Sequence, residues 1–148
     1  FARRIMGEVV NNHPDLLVIQ DILHFEEVPY CGFVKEHFEG GAKKSITQYY
    51  QGKLHGIMKV WYENGKLAMI RLFKEGAAHG DFKSYWPNGI VKSSSSYFNG
   101  KRHGLNEEWY DNGMKKTCRQ FIMGKEWGVQ RFWDDDGAES GFRMVSGS

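Results

Sequence analysis

No apolar run in this sequence is long enough to cross a bilayer as a helix. The longest, Leu16-Leu17-Val18-Ile19, has four residues where about 20 are needed. Neither sign of charge dominates: 20 Lys and Arg against 18 Asp and Glu leave a net +2, which lacks the concentrated basic footprint of a nucleic-acid binder. Proline is scarce, at three residues, and cysteine scarcer, at two. Phe1 is expected to follow a removed segment, so the sequence is silent on targeting. What is abundant is glycine, at 18 residues, and aromatic side chains, at 15%. That mixture favours an all-β chain with many tight turns.

The glycines keep time. Gly32, Gly56, Gly80, Gly104 and Gly128 lie 24 residues apart, as do Gly41, Gly65, Gly89, Gly113 and Gly137, and again Gly52, Gly76, Gly100 and Gly124. Aromatic residues follow the same beat at Phe25, Tyr49, Phe73, Tyr97 and Phe121, and at Trp61, Tyr85, Trp109 and Trp133. A fixed period of this length is the mark of a repeat architecture. Each unit holds two turn signals. One is the ENGK, PNGI, DNGM, DDGA series (63–66, 87–90, 111–114, 135–138), which predicts a two-residue type I′ hairpin loop. The other is the Gln51-Gly52, Glu75-Gly76, Asn99-Gly100, Met123-Gly124 series.

One unit is therefore one β-hairpin, and the chain is expected to be a single-sheet antiparallel meander of roughly ten strands. Residues 1–31 read as an atypical capping hairpin, 32–138 as the repeats, and 139–148 as a terminal strand and tail, all in one domain. A two-residue loop at Asn64-Gly65 would set Trp61 opposite Ala68 and Gly56 opposite Phe73. The ring of Phe73 would then cover the bare glycine, as aromatic side chains can in sheets.

The units YYQGKLHGIMKVWYENGK (49–66), FKEGAAHGDFKSYWPNGI (73–90), YFNGKRHGLNEEWYDNGM (97–114) and FIMGKEWGVQRFWDDDGA (121–138) resemble the MORN repeat family. They are closest to the short-motif variant found in bacterial proteins described as antitoxins. The resemblance implies a non-enzymatic scaffold that binds proteins, with phosphoinositide membranes bound in other branches. Departures from the pattern are Trp127 in a histidine slot, and Asn106 and Gln130 where other copies carry Met58 or Phe82. These suggest that part of one face is wet or meets a partner.

Chemistry finds little footing. His55, His79 and His103 recur once per unit, so they stand about 9–10 Å apart, two strand spacings; zinc needs its donors about 2 Å from one ion. Cys31 and Cys118 are 87 residues apart, too far in a linear array for the ~7 Å Cα separation of a disulfide. Two unpaired thiols favour a reducing, cytoplasmic setting over a periplasmic one. The DDDG segment (134–137) occupies a turn slot without the spaced carboxylates of a calcium loop, and Ser93 to Ser96 lack a paired base. No catalytic residue, metal or cofactor is expected. The expected contact surface is the face carrying Trp61, Lys83, Tyr85, Trp109, Arg131 and Trp133, since aromatic and arginine side chains commonly anchor interfaces. The expected partner is a protein, a toxin or effector by resemblance. The alternatives are a membrane lipid, for which Lys101-Arg102 with Lys115-Lys116 is the basic candidate, and a structural scaffold that associates with itself through sheet edges.

Overall fold

A computed structural model describes residues 8–10 and 13–147. Its strands are β1 (Glu8–Val10), β2 (Leu16–Ile19), β3 (Ile22–Phe25), β4 (Val28–Pro29), β5 (Gly32–His37), β6 (Lys43–Tyr50), β7 (Lys53–Trp61) and β8 (Leu67–Lys74). They continue as β9 (Ala77–Tyr85), β10 (Val91–Phe98), β11 (Lys101–Trp109), β12 (Lys115–Ile122), β13 (Lys125–Glu126), β14 (Gly128–Trp133) and β15 (Glu139–Val145). From β5 onward each strand pairs with the next in sequence, an antiparallel meander. β13 pairs with β12 just before β14 takes over, and β1 joins β5 in parallel at the other edge.

Within the segment expected as one capping hairpin, β2, β3 and β4 make a separate three-stranded sheet. Backbone bonds from Leu23 N to the Gly52 carbonyl and from Gly52 N to the Tyr30 carbonyl tie it to the first X-Gly turn. Tyr30 is fully buried there. Residues 1–7, 11 and 12 of that segment, and Ser148 of the tail, lie outside the described residues.

The Asn-Gly series does not form the two-residue type I′ loop expected of it. At Tyr62 to Lys66, Gly65 N bonds the Tyr62 carbonyl and Tyr62 N bonds the Lys66 carbonyl. Only Gly65 has positive φ. This is a three-residue loop, a type I turn followed by a left-handed glycine. The type I′ loops are the other series, where Gln51 and Gly52 both have positive φ, as do Glu75 and Gly76. The longer loop moves Trp61 opposite Leu67, not Ala68, and a bulge at Ala68 then restores the register so that Gly56 meets Phe73. By the same bulges Tyr85 faces Val91 and Trp109 faces Lys115.

A second bulge explains the recurring glycine. Tyr49 pairs with Leu54 and Thr47 with Met58, leaving three residues of β7 against Gln48. Gly56, inside that bulge, has φ +94°, which an L side chain adopts only at a cost. The opposing ring is not the reason for it. A Cβ at Gly80 would sit 3.2 Å from Leu72, and one at Gly104 would have only Ser96 within 4 Å, so ring cover is corrected to backbone geometry.

Burial is one-sided. Val34, Thr47, Ser95, Asn106, Thr117, Phe121 and Gln130 are buried, and alternation puts them all on one face, since side chains alternate along a strand. The other face leaves Leu72, Leu105, Ile122, Val129, Phe142 and Met144 exposed. Asn106 and Gln130 are therefore not wet. Ser95 Oγ donates to Asn106 Oδ1 at 2.5 Å. Gln130 Oε1 accepts from Gln120 N at 3.0 Å while its Nε2 donates to the Trp127 carbonyl at 2.8 Å, filling the gap where β13 gives way to β14.

Candidate functional site

Three ladders of side chains with the 24-residue period join each unit to the next. In the first, Tyr62 Oη donates to the Tyr85 carbonyl (2.7 Å), Trp86 Nε1 to the Trp109 carbonyl (3.1 Å) and Tyr110 Oη to the Trp133 carbonyl (2.9 Å). In the second, Asn64, Asn88 and Asn112 each donate Nδ2 to the carbonyl of Pro87, Asp111 and Asp135, at 2.7–2.9 Å. Each also accepts at Oδ1 from the amide two residues on. In the third, Nδ1 of His55, His79 and His103 accepts from the amides of Glu75, Asn99 and Met123, at 3.2–3.4 Å. The backbone N–H can only donate, so these rings carry their proton on Nε2. Cys31 Sγ fills the same role toward Gln51 N. The histidines are thus tied to turn amides, one per unit.

The six residues expected to form a contact surface lie on one face of alternate strands: Trp61 on β7, Lys83 and Tyr85 on β9, Trp109 on β11, and Arg131 and Trp133 on β14. The aromatic four are half-buried, and Lys83 and Arg131 are exposed. One row in from the aromatics, cross-strand pairing gives Ile46–Lys59–Ile70–Lys83–Ser94–Glu107–Cys118–Arg131–Phe142. Lys59 and Lys83 make no ion pair among the described residues, whereas Arg131 lies 3.9 Å from Glu139, an exposed pair worth little. Lys115 Nζ is 2.6 Å from Glu107 and 5.5 Å from the Trp109 ring centroid. Lys116 stacks over Tyr110 on the opposite face. The basic cluster considered for lipid binding is therefore divided between faces and partly neutralised.

Cys118 sits in this row with its thiol pushed above the ordinary value, chiefly by burial and then by Glu107, with Lys115 and Arg131 opposing. Less thiolate makes a poorer nucleophile. Tyr49, on the packed face, is raised by burial and then by Glu36.

The sequence reading missed Tyr62, Trp86 and Tyr110, one residue after the row it chose. Their own 24-residue spacing, with Phe38 as a further aromatic member, was the available signal.

The fold and the ladders define an all-β hairpin-repeat protein. A family model for the MORN repeat variant matches residues 54–75 and 78–99. Each matched stretch runs from one X-Gly turn to the next, through an Asn-Gly turn, so two consecutive hairpins of the structure are similar to that repeat. A comparison with curated proteins finds no match.

Proposed function

We propose that this chain is a non-enzymatic repeat protein that binds another protein through the face bearing Trp61, Lys83, Tyr85, Trp109, Arg131 and Trp133. On this reading it neutralises a toxin or effector by covering its working surface. The observation that carries the reading is the one-sided burial: the buried side chains of the long sheet lie on the opposite face, while this one leaves aliphatic side chains exposed beside lysines that make no ion pair among the described residues. The first ladder adds to it. The carbonyls of Tyr85, Trp109 and Trp133 are each held by the preceding unit, so these anchors are presented on a fixed backbone. Preorganisation of that kind reduces the entropy lost on association.

The test is affinity capture with the whole chain, followed by titration of the captured protein against the wild type and Trp109→Ala/Arg131→Ala. A loss of about 1.4 kcal/mol or more, tenfold in Kd, is expected of central anchors. Co-expression should also relieve any toxicity of the captured protein. An unchanged Kd rejects this face; full toxicity despite tight binding rejects neutralisation. Salt-sensitive binding to anionic vesicles with no protein captured would favour the lipid reading.

A further inference from the structure

We propose that Arg71, on the packed face, is the anchor of a second site that takes the carboxylate of an acidic side chain from a protein partner. Its guanidinium carbon lies 5.4, 5.5 and 5.1 Å from the ring centroids of Phe73, Phe82 and Tyr97. Phe82 and Tyr97 meet edge to face at 6.4 Å. Arg71 Nε is buried and bonds nothing. The residue as a whole is only half-buried, and no carboxylate among the described residues forms an ion pair with it. A guanidinium presents five donors in a fixed fork matched to carboxylate geometry, and here none is used.

The repeat itself shows what fills such a fork. Two units later, 48 residues on, the same slot holds Arg119, also with a buried, unbonded Nε and stacked 5.8 Å from the Phe132 centroid. Arg119 Nη1 lies 3.5 Å from Glu126 Oε1, and Arg143 contacts the same carboxylate. Glu126 pairs across the sheet with Phe121. The residue 48 positions before Glu126 is Ala78, which pairs with Phe73 in the equivalent way. Where Arg119 finds a glutamate, Arg71 finds a methyl group. The fork of Arg71 is thus preoriented by three rings and lacks the acid that its counterpart has. An incoming Asp or Glu side chain would complete it, end-on across the two Nη groups, beside aromatic surface that the rest of the partner can cover. This site lies on the opposite face from the tryptophan row and stands independently of it.

The experiment follows the arginine Nε–Hε signals of the whole chain by NMR during titration with N-acetylglutamate N-methylamide, a mimic of a glutamate side chain. A saturable shift at Arg71, with Arg119 unmoved and exposed Arg131 moving only linearly, is expected. Ala78→Glu should pair Arg71 internally, move its signal toward that of Arg119 and abolish the saturable response. If that variant fails to fold, Arg71→Lys serves instead, and loss of the saturable aromatic shifts of Phe82 and Tyr97 is the expected result. A response at Arg71 no different from that at Arg131, or an equal saturable response to inorganic phosphate at matched ionic strength, overturns the assignment.

Discussion

Asn88→Asp changes one atom and should separate the two tasks of the asparagine ladder. Asn88 Oδ1 accepts from Ile90 N at 3.0 Å, and Nδ2 donates to the Asp111 carbonyl at 2.8 Å. Aspartate keeps the first bond, which shapes the turn, and cannot make the second, which joins neighbouring units. The site is exposed, so the carboxylate can turn to water, and the cost should be that of one net hydrogen bond, about 1 kcal/mol. The chain contains its own control. Asp136 accepts from Ala138 N at 2.9 Å in the slot of Asn88, and no described carbonyl of a following unit waits beyond it. Asp136→Asn should therefore change stability by less than about 0.5 kcal/mol. Urea unfolding followed by tryptophan fluorescence reads both. With a slope of about 2 kcal/mol per molar, Asn88→Asp should lower the midpoint by roughly 0.5 M and Asp136→Asn should leave it in place. Converting Asn64, Asn88 and Asn112 together should lower stability by about 3 kcal/mol, if neighbouring sites add. Equal midpoints for Asn88→Asp and wild type, or an equal loss for the two single variants, would refute the claim that the amide nitrogens join the units.

Gly80→Ala should destabilise by more than Gly104→Ala. Both residues have φ near +100°, costing about 1–2 kcal/mol for an L side chain, but only at Gly80 does a Cβ crowd Leu72 at 3.2 Å; equal losses in urea midpoint would remove the steric component. Gln130→Ala should cost about 1–3 kcal/mol, because it removes a fully buried side chain that bonds the part-buried backbone groups of Gln120 and Trp127, and thermal unfolding would show it; a neutral result would mean water replaces the side chain. Stability should fall as pH rises through the ordinary thiol and phenol values. Cys118 and Tyr49 are both raised in the folded chain, so the unfolded chain loses those protons first and is favoured. Cys118→Ser and Tyr49→Phe should together flatten this alkaline slope, and an unchanged slope would assign it elsewhere.

The period made the fold legible. Three glycine series and two aromatic series at one spacing leave little besides consecutive hairpins, and the strands follow that reading from β5 to β15. The local geometry was less legible because two errors cancelled. The Asn-Gly loop has three residues, not two, and the bulge at Ala68 inserts one more residue on the return strand. The pairing of Gly56 with Phe73 thus comes out right while that of Trp61 comes out wrong. Nothing in Asn64-Gly65 alone distinguishes the loops, since Asn-Gly suits both; the deciding feature is the Asn64 side chain, which serves Lys66 N and the Pro87 carbonyl at once. Asn106 and Gln130 misled for a related reason. A polar residue in an apolar slot reads as exposed when its partner is invisible, and the partners here, Ser95 and the Gln120 backbone, lie on other strands.

That distinction bears on which residues can serve a partner. In three consecutive units two aromatic slots adjoin, and the second is spent on the fold while the first is not. Tyr62, Trp86 and Tyr110 use their only polar hydrogens to hold the neighbouring unit. Trp61, Tyr85, Trp109 and Trp133 lend only backbone carbonyls to that ladder, where a bond is made. Removing Trp86 should loosen the array and move Trp109 with it; removing the Trp109 side chain should leave the ladder intact, because its carbonyl remains. A partner contact that weakens with Trp109→Ala at unchanged unfolding midpoint therefore reports on binding itself, whereas Trp86→Phe, which deletes the donor and keeps most of the ring, should lower the midpoint by roughly 1 kcal/mol of stability. If Trp109→Ala proves as destabilising as that, the row is structural and the exposed face has lost its anchors.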